Sequence, residues 1–199
     1  ELRNMKKIIA LPLACVLLAG CAKNKTLDEA IQDYNQKNGI EPSADTVDPV
    51  SLSVSDGQEG QKIETYFYYF TVNSSKVTSD YGTYSAKEGN QLVVVNMTLE
   101  DILEEPIQMS DLEFQIQWGE EEDGFALSVL YDEEGNPLDT VKSSQFPTRF
   151  ALENGEPYTG EIVFEVPEDA ENFDFCTADS FSDTSIEPGV YFVRLQPQK

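Results

Sequence analysis

The heptapeptides LEFQIQW, residues 112–118, and GEIVFEV, residues 160–166, decide the fold. In each of them large apolar side chains recur at every second position, so they share one side of an extended chain. These positions are Leu112, Phe114, Ile116 and Trp118 in the first stretch, and Ile162, Phe164 and Val166 in the second. A period of two predicts strands that bury one face.

Comparable short apolar runs flank these two stretches. They cover residues 63–72, 91–99, 125–131, 173–178 and 190–195, with a weaker run at 146–152. Turn-forming pairs such as Asp123-Gly124, Asn154-Gly155 and Pro188-Gly189 separate the runs. No helical period of useful length interrupts them. Seven or eight strands of this kind predict an all-β fold, an antiparallel β-sandwich over residues 62–199.

Three stretches of this region carry a family resemblance, which extends over roughly residues 64–195. They are YGTYSAKEGNQLVVVNMTLED, EEPIQMSDLEFQIQ and GEIVFEVPED. The matching positions are Gly89, Val93-Val94-Val95, Asp111 with Phe114, and Val166-Pro167. The region resembles immunoglobulin-like domains of unknown function that Gram-positive bacterial lipoproteins carry, similar in fold to a secreted mycobacterial immunoprotective antigen. That family usually has Asn-Asn or Asn-Ser after its second strand, where this chain has Glu100-Asp101. The resemblance implies an immunoglobulin-like sandwich and an extracellular anchor, with no known activity.

The N-terminal stretch has the features of an export signal over residues 1–20. Arg3, Lys6 and Lys7 precede an uncharged run, residues 8–20. As a helix this run is roughly 20 Å long, too short for a hydrocarbon core of ~30 Å. Its end, Leu18-Ala19-Gly20-Cys21, resembles the lipobox of bacterial lipoproteins. The resemblance implies that Cys21 carries the lipid and becomes the first residue; a plain signal peptide with a chance cysteine is the alternative. We therefore expect a lipid anchor on the extracytoplasmic face of the cell membrane.

Between the signal and the sandwich, residues 21–61 form the expected tether. Thr26 and Glu29 fit a capping box, which predicts a short amphipathic helix over 26–39. Residues 40–61 mix Pro, Ser, Asp and Gly and predict a flexible acidic linker.

The cysteines fit this organisation. Cys15 falls within the signal and Cys21 takes the lipid, so Cys176 stands alone in the mature chain. We therefore expect no internal disulfide, and the apolar run around Cys176 predicts a buried, inert thiol.

Charge and composition exclude several function classes. The chain of 199 residues has 37 acidic and 13 basic residues, a net charge of −24, and no histidine. Such a chain is repelled by nucleic-acid phosphates, so we expect no nucleic-acid partner. Without histidine the common catalytic triads are impossible, and no phosphate-binding or nucleophile motif occurs. We expect no enzymatic activity.

Two kinds of candidate binding residue remain. Two acidic loops contain possible Ca²⁺ ligands, namely Glu120, Glu121, Glu122, Asp123, Asp132 and Glu134. Neither loop has the alternating spacing of a twelve-residue Ca²⁺ loop, so we expect no cofactor, with Ca²⁺ as the open alternative. The aromatic run at 66–70 offers Tyr66, Tyr68 and Tyr69 for stacking on a ligand. On a single strand, one set of its rings fills the core, and the other covers a sheet face or binds.

The sequence thus favours a membrane-anchored lipoprotein whose immunoglobulin-like domain is an interaction module. Its expected partner is an envelope protein, a peptide or a wall polymer, because loops on a rigid scaffold commonly carry recognition. A passive spacer and a Ca²⁺-responsive module are the alternatives.

Overall fold

The computed structural model describes residues 53–119, 124–130, 139–179 and 189–198. The chain divides into two compact units, Glu1–Ser53 with Ser180–Pro188 and Val54–Asp179 with Gly189–Lys199. All described residues except Ser53 belong to the second unit, and they form almost nothing but strands. The strands are β1 Ser53–Gln58, β2 Lys62–Glu64, β3 Tyr68–Thr78, β4 Asp80–Tyr81, β5 Tyr84–Ser85, β6 Asn90–Asp101, β7 Ile107–Ser110, β8 Phe114–Trp118, β9 Gly124–Ala126, β10 Arg149–Leu152, β11 Tyr158–Pro167, β12 Asp174–Ala178 and β13 Gly189–Arg194.

Two sheets carry most of these strands. One has the order β1-β13-β12-β8-β9 and the other β11-β6-β3-β2. The strand pairs β10-β7 and β4-β5 form two further sheets of two strands each. The registers of β8, β12 and β13 and those of β3, β6 and β11 are antiparallel. The predicted all-β sandwich is therefore confirmed.

Aromatic rings from both sheets meet in the core. The ring of Phe70 on β3 lies 6.3 Å from those of Phe175 on β12 and Tyr191 on β13. Phe164 on β11 meets Phe175 edge-on at 6.2 Å. Pairs at these separations contribute beyond the apolar area they bury. Phe114 and Ile116 lie on β8 of the five-stranded sheet, and both are fully buried, as their alternation in the sequence predicts.

Strand β6 is buried on both faces, which explains its unbroken valine run. Val93 and Val95 face the main core, whereas Leu92 and Val94 belong to a second apolar cluster with Tyr81 and Val163. Tyr81 ends β4, so the β4-β5 hairpin covers the outer side of this sheet. A strand buried on both sides reads as a continuous apolar run instead of an alternating one.

The aromatic run 63–72 is not one strand but a hairpin. Thr65 Oγ1 accepts hydrogen bonds from the backbone N–H groups of Phe67 and Tyr68, both at 3.1 Å, and donates one to the Tyr68 carbonyl at 2.9 Å. This hydroxyl closes a turn between β2 and β3, because a threonine side chain can replace strand hydrogen bonds locally. Tyr66 consequently lies in the turn and not on the strand face that Tyr68 and Phe70 share.

The expected linker, residues 40–61, does not extend over its last part, because β1 occupies Ser53–Gln58 and joins the five-stranded sheet. Strands β4, β5 and β7 also lie outside the predicted runs, and each has four residues or fewer. Cys176 is buried as predicted, with its Sγ 3.7 Å from the Gln115 carbonyl oxygen. Cys21 and the predicted helix over 26–39 lie outside the described residues. Within the described ranges, no helix has the length and apolar character needed to cross a membrane.

Candidate functional site

An open cleft of about 560 Å³ lies at one end of the five-stranded sheet. This volume falls within the range of about 300–1,000 Å³ that is common for ligand sites. The residues that line it combine aromatic rings with planar polar groups. They are Gln117, Trp118, Gly119, Asn172, Asp174, Phe192 and Arg194.

Strand register brings the polar residues of the cleft together from distant parts of the chain. On β12, Asp174 pairs with Gln117 of β8 on one side and with Arg194 of β13 on the other. Their chain neighbours Ile116, Phe175 and Val193 are fully buried in the core. Since side chains alternate along a strand, the three polar groups form a row on the outer face, with neighbouring strands about 4.8 Å apart.

A two-pronged ion pair fixes the middle of this row. Arg194 donates from Nε to Asp174 Oδ1 at 2.7 Å and from Nη2 to Oδ2 at 2.9 Å. The two side chains are 53% and 26% exposed, so a ligand can reach them. An exposed pair of this kind contributes only about 0–1 kcal/mol to stability. Its main effect is to orient two planar groups toward the cleft.

Close packing holds the single tryptophan of the chain at the cleft. The Trp118 ring packs partly against the core, and a Cβ on Gly124 of the adjacent strand β9 would overlap that ring. Next to it, the Gly119 N–H donates to the Glu171 carbonyl at 3.1 Å. This bond ties the end of β8 to the loop that carries Asn172, which has a φ of 58°. Asparagine is among the residues that tolerate this left-handed conformation.

The three tyrosines singled out by the sequence do not form a common platform. Tyr66, at the hairpin turn, is 51% exposed. Tyr68 is buried and shares a hydrogen bond of 3.0 Å with Thr177 Oγ1, and burial raises the pKa of its phenol well above the usual value. Tyr69 is half-buried, with Lys62 Nζ 4.3 Å from its ring centroid. Tyr68 is therefore a core residue and not a ligand-stacking residue.

A second polar group is buried between the sheets near this hairpin. Asp179 Oδ2 accepts a hydrogen bond from Tyr191 Oη at 2.6 Å and one from the Tyr66 N–H at 3.3 Å. Burial raises the pKa of this carboxyl, and hydrogen bonds from Tyr191, Tyr66 and Thr65 partly oppose the rise. This arrangement joins the β2-β3 turn to the other sheet, so its role is structural.

The candidate Ca²⁺ ligands lie outside the described residues. These are Glu120, Glu121, Glu122, Asp123, Asp132 and Glu134. Within the described part of the chain, histidine, cysteine, aspartate and glutamate nowhere form a group of three placed to hold a metal ion.

Sequence reasoning did not find the cleft. Gln117 and Arg194 stand at polar positions of predicted strands, and that alternation marks them as outward-facing. What brings them to the same place is the pairing of β8, β12 and β13, which joins positions far apart in sequence. Local pattern carries no information on this pairing.

The family described as "Domain of unknown function (DUF4352)" matches residues 57–186, more than half of the sequence. The chain belongs to the DUF4352 family. The match runs from β1 to beyond β12 and so includes Gln117, Trp118 and Asp174 of the cleft. A comparison with curated proteins gives no match.

Several solved structures are similar to this DUF4352 chain. The "putative lipoprotein (ycdA)" of Bacillus subtilis is 13% identical with a TM-score of 0.45, and the match covers 67% of this chain and 38% of that one. The yjhA protein of Bacillus subtilis is 15% identical with a TM-score of 0.47, covering 70% and 99%. An uncharacterized β-sandwich protein of Clostridium difficile 630 is 11% identical with a TM-score of 0.44, covering 78% and 100%. This chain thus spans 38% of the length of the first of these proteins.

Proposed function

We propose that this DUF4352 protein is a lipid-anchored extracytoplasmic protein whose sandwich binds a cell-envelope component through the cleft at Trp118. The observation that carries the proposal is the cleft itself, where one row of oriented polar groups lies beside the Phe192 ring on the same outer face. Ligand sites typically combine a concave surface with a few convergent polar groups.

The anchoring part of the proposal is supported by the N-terminal sequence. Leu18-Ala19-Gly20-Cys21 follows a basic head and a short apolar run. Acyl chains on Cys21 contribute ~0.8 kcal/mol for each buried CH₂, which is enough for stable attachment when two or more chains are present. The anchor confines the sandwich to the envelope and thereby limits its partners to envelope components.

Binding without catalysis is supported by the chemistry of the cleft. Its titratable side chains among the described residues are Asp174 and Arg194, and these are already bonded to each other. A general acid or base must instead exchange a proton with a substrate. The chain has no histidine to supply that role.

The test compares two double variants of the full-length protein, extracted from membranes and incubated with isolated cell walls. D174A/R194A removes the cleft pair. K62A/E100A removes a matched exposed ion pair of 2.7 Å on the other sheet and serves as the control. Sedimentation with the walls measures binding.

We expect the cleft variant to bind about tenfold more weakly, equivalent to ~1.4 kcal/mol, and the control to bind like the wild type. Equal binding by all three proteins contradicts a role for the cleft. Sedimentation of none of them contradicts binding altogether and favours the passive spacer.

A further inference from the structure

We infer that the ligand of the cleft is an uncharged oligosaccharide, a step that rests on the function proposed above. The chemistry of the row Gln117, Asp174 and Arg194, the Phe192 ring beside it and the charge of the molecule each point to this class.

The row offers three different hydrogen-bonding capacities side by side. The Gln117 amide both donates and accepts, the Asp174 carboxylate accepts, and the Arg194 guanidinium donates. Two of the five guanidinium N–H donors are used on Asp174. A sugar hydroxyl both donates and accepts, and neighbouring hydroxyls on a ring present several such groups within a few ångströms. Planar groups in fixed positions, about 4.8 Å apart on adjacent strands, suit such a ligand.

The Phe192 ring supplies the complementary apolar contact. Phe192 is half-buried, and it lies on the same outer face as Arg194 because its chain neighbours Tyr191 and Val193 are buried in the core. Sugar rings have faces of C–H groups between their hydroxyls, and these faces pack on aromatic rings. The packing of the Trp118 ring against Gly124 and the core fixes the end of β8 that borders the cleft, and a preformed site loses less entropy on binding.

Charge argues against the other polymers of an envelope. Arg194 is neutralised by Asp174, and the other lining residues that the structure describes carry no charge. The whole chain has a net charge of −24, so an anionic polymer is repelled at long range, and the lining residues offer it no net positive charge. A purely apolar ligand is disfavoured as well, because it would leave the polar row without hydrogen-bond partners.

The experiment is calorimetric titration of the full-length protein with neutral tetrasaccharides. The probes are the β-1,4-linked tetramers of N-acetylglucosamine and of glucose, and the α-1,4-linked tetramer of glucose. Polyglycerol phosphate is the anionic comparison. Gln117→Ala tests the row, and Gln108→Ala, an exposed glutamine on β7, is the matched control.

We expect at least one tetrasaccharide to bind, Gln117→Ala to weaken that binding about fivefold to tenfold, and Gln108→Ala to leave it unchanged. Polyglycerol phosphate should not bind. Absence of binding by every tetrasaccharide at millimolar concentration overturns the inference, as does equal binding of the anionic polymer. If cell walls still bind the wild type more tightly than D174A/R194A, the ligand class is wrong and the function proposed for the cleft stands. If neither protein sediments with the walls, the ligand class and the function proposed for the cleft are both wrong.

Discussion

Tyr191 donates a hydrogen bond of 2.6 Å from its phenolic oxygen to Oδ2 of Asp179, and both side chains are buried. Asp179 follows β12 directly, and Tyr191 belongs to the neighbouring strand β13. The same carboxylate oxygen accepts the N–H of Tyr66 from the opposite sheet. This single carboxylate therefore links the two layers of the sandwich at one end.

We predict that Tyr191→Phe destabilises the protein by about 1–3 kcal/mol, because a buried carboxylate then lacks one of its donors. Urea unfolding at neutral pH measures the change. Tyr158→Phe is the control, since this tyrosine is 37% exposed. If Tyr191→Phe and Tyr158→Phe lose the same free energy of unfolding, the hydrogen bond between Tyr191 and Asp179 is not the cause of the loss.

Glu113 gives a second prediction, on pH. Burial raises the pKa of its carboxyl from 4.5 to about 7, and the Ser110 N–H, which donates to Oε1 at 3.0 Å, partly opposes the rise. A raised pKa means that the folded protein holds the proton more tightly than the unfolded chain. The resulting stabilisation is fully present below pH 4.5 and is lost as the pH rises through about 7.

Glu113→Gln keeps the Oε1 acceptor and removes the charge. We expect the variant to match the wild type near pH 4 and to exceed it at pH 8 by a free energy of unfolding on the order of 3 kcal/mol. Unfolding curves at a series of pH values measure this difference. If the difference in free energy of unfolding between the two proteins does not change with pH, the buried Glu113 carboxyl is not its source.

The contact between Gly124 and Trp118 gives a third prediction. Gly124→Ala places a methyl group where the indole lies, and we expect a loss of about 1–3 kcal/mol in stability. Trp118→Leu removes the obstructed ring. In the double variant the cost of Gly124→Ala should fall by more than half, because the two residues are in contact. Additive effects of the two substitutions on the midpoint of thermal unfolding would show that the ring is not held by this glycine.

The strands were predictable where one face is buried and the other is not. The alternation at 112–118 and 160–166 located β8 and β11 within a few residues. The hairpin at Thr65 was not predictable from periodicity, because Tyr66 and Phe67 are good strand residues and the turn depends on one hydroxyl. Propensity describes a local tendency, and here a side-chain hydrogen bond overrides it.

The candidate site was less predictable than the fold. Asp174 lies 57 residues after Gln117 and 20 residues before Arg194, and only the pairing of three strands joins them. The aromatic run at 66–70 was the more conspicuous sequence feature, yet Tyr68 is buried in the core. An aromatic cluster on a strand serves packing more often than recognition, because large apolar surfaces contribute most when buried.

The lipid anchor yields a fourth prediction, from the sequence alone. The protein extracted from membranes should begin at Cys21 and carry the mass of a diacylglycerol on its sulfur. Cys21→Ala should abolish this lipid mass, whereas Cys15→Ala, within the signal, should retain it. Intact mass spectrometry measures both the first residue and the lipid mass. A mature N-terminus at any residue other than Cys21 contradicts the anchor.

The claim that the cleft binds an envelope component is tested most directly through Trp118, the one tryptophan in the chain. Protein labelled with ¹⁵N-tryptophan has a single indole N–H signal, which can be followed while soluble cell-wall digest is added. The account predicts a saturable shift of that signal in the wild type and in K62A/E100A, and a shift that needs about tenfold more digest to reach its midpoint in D174A/R194A. An indole signal that stays in place while the protein binds the digest would contradict it.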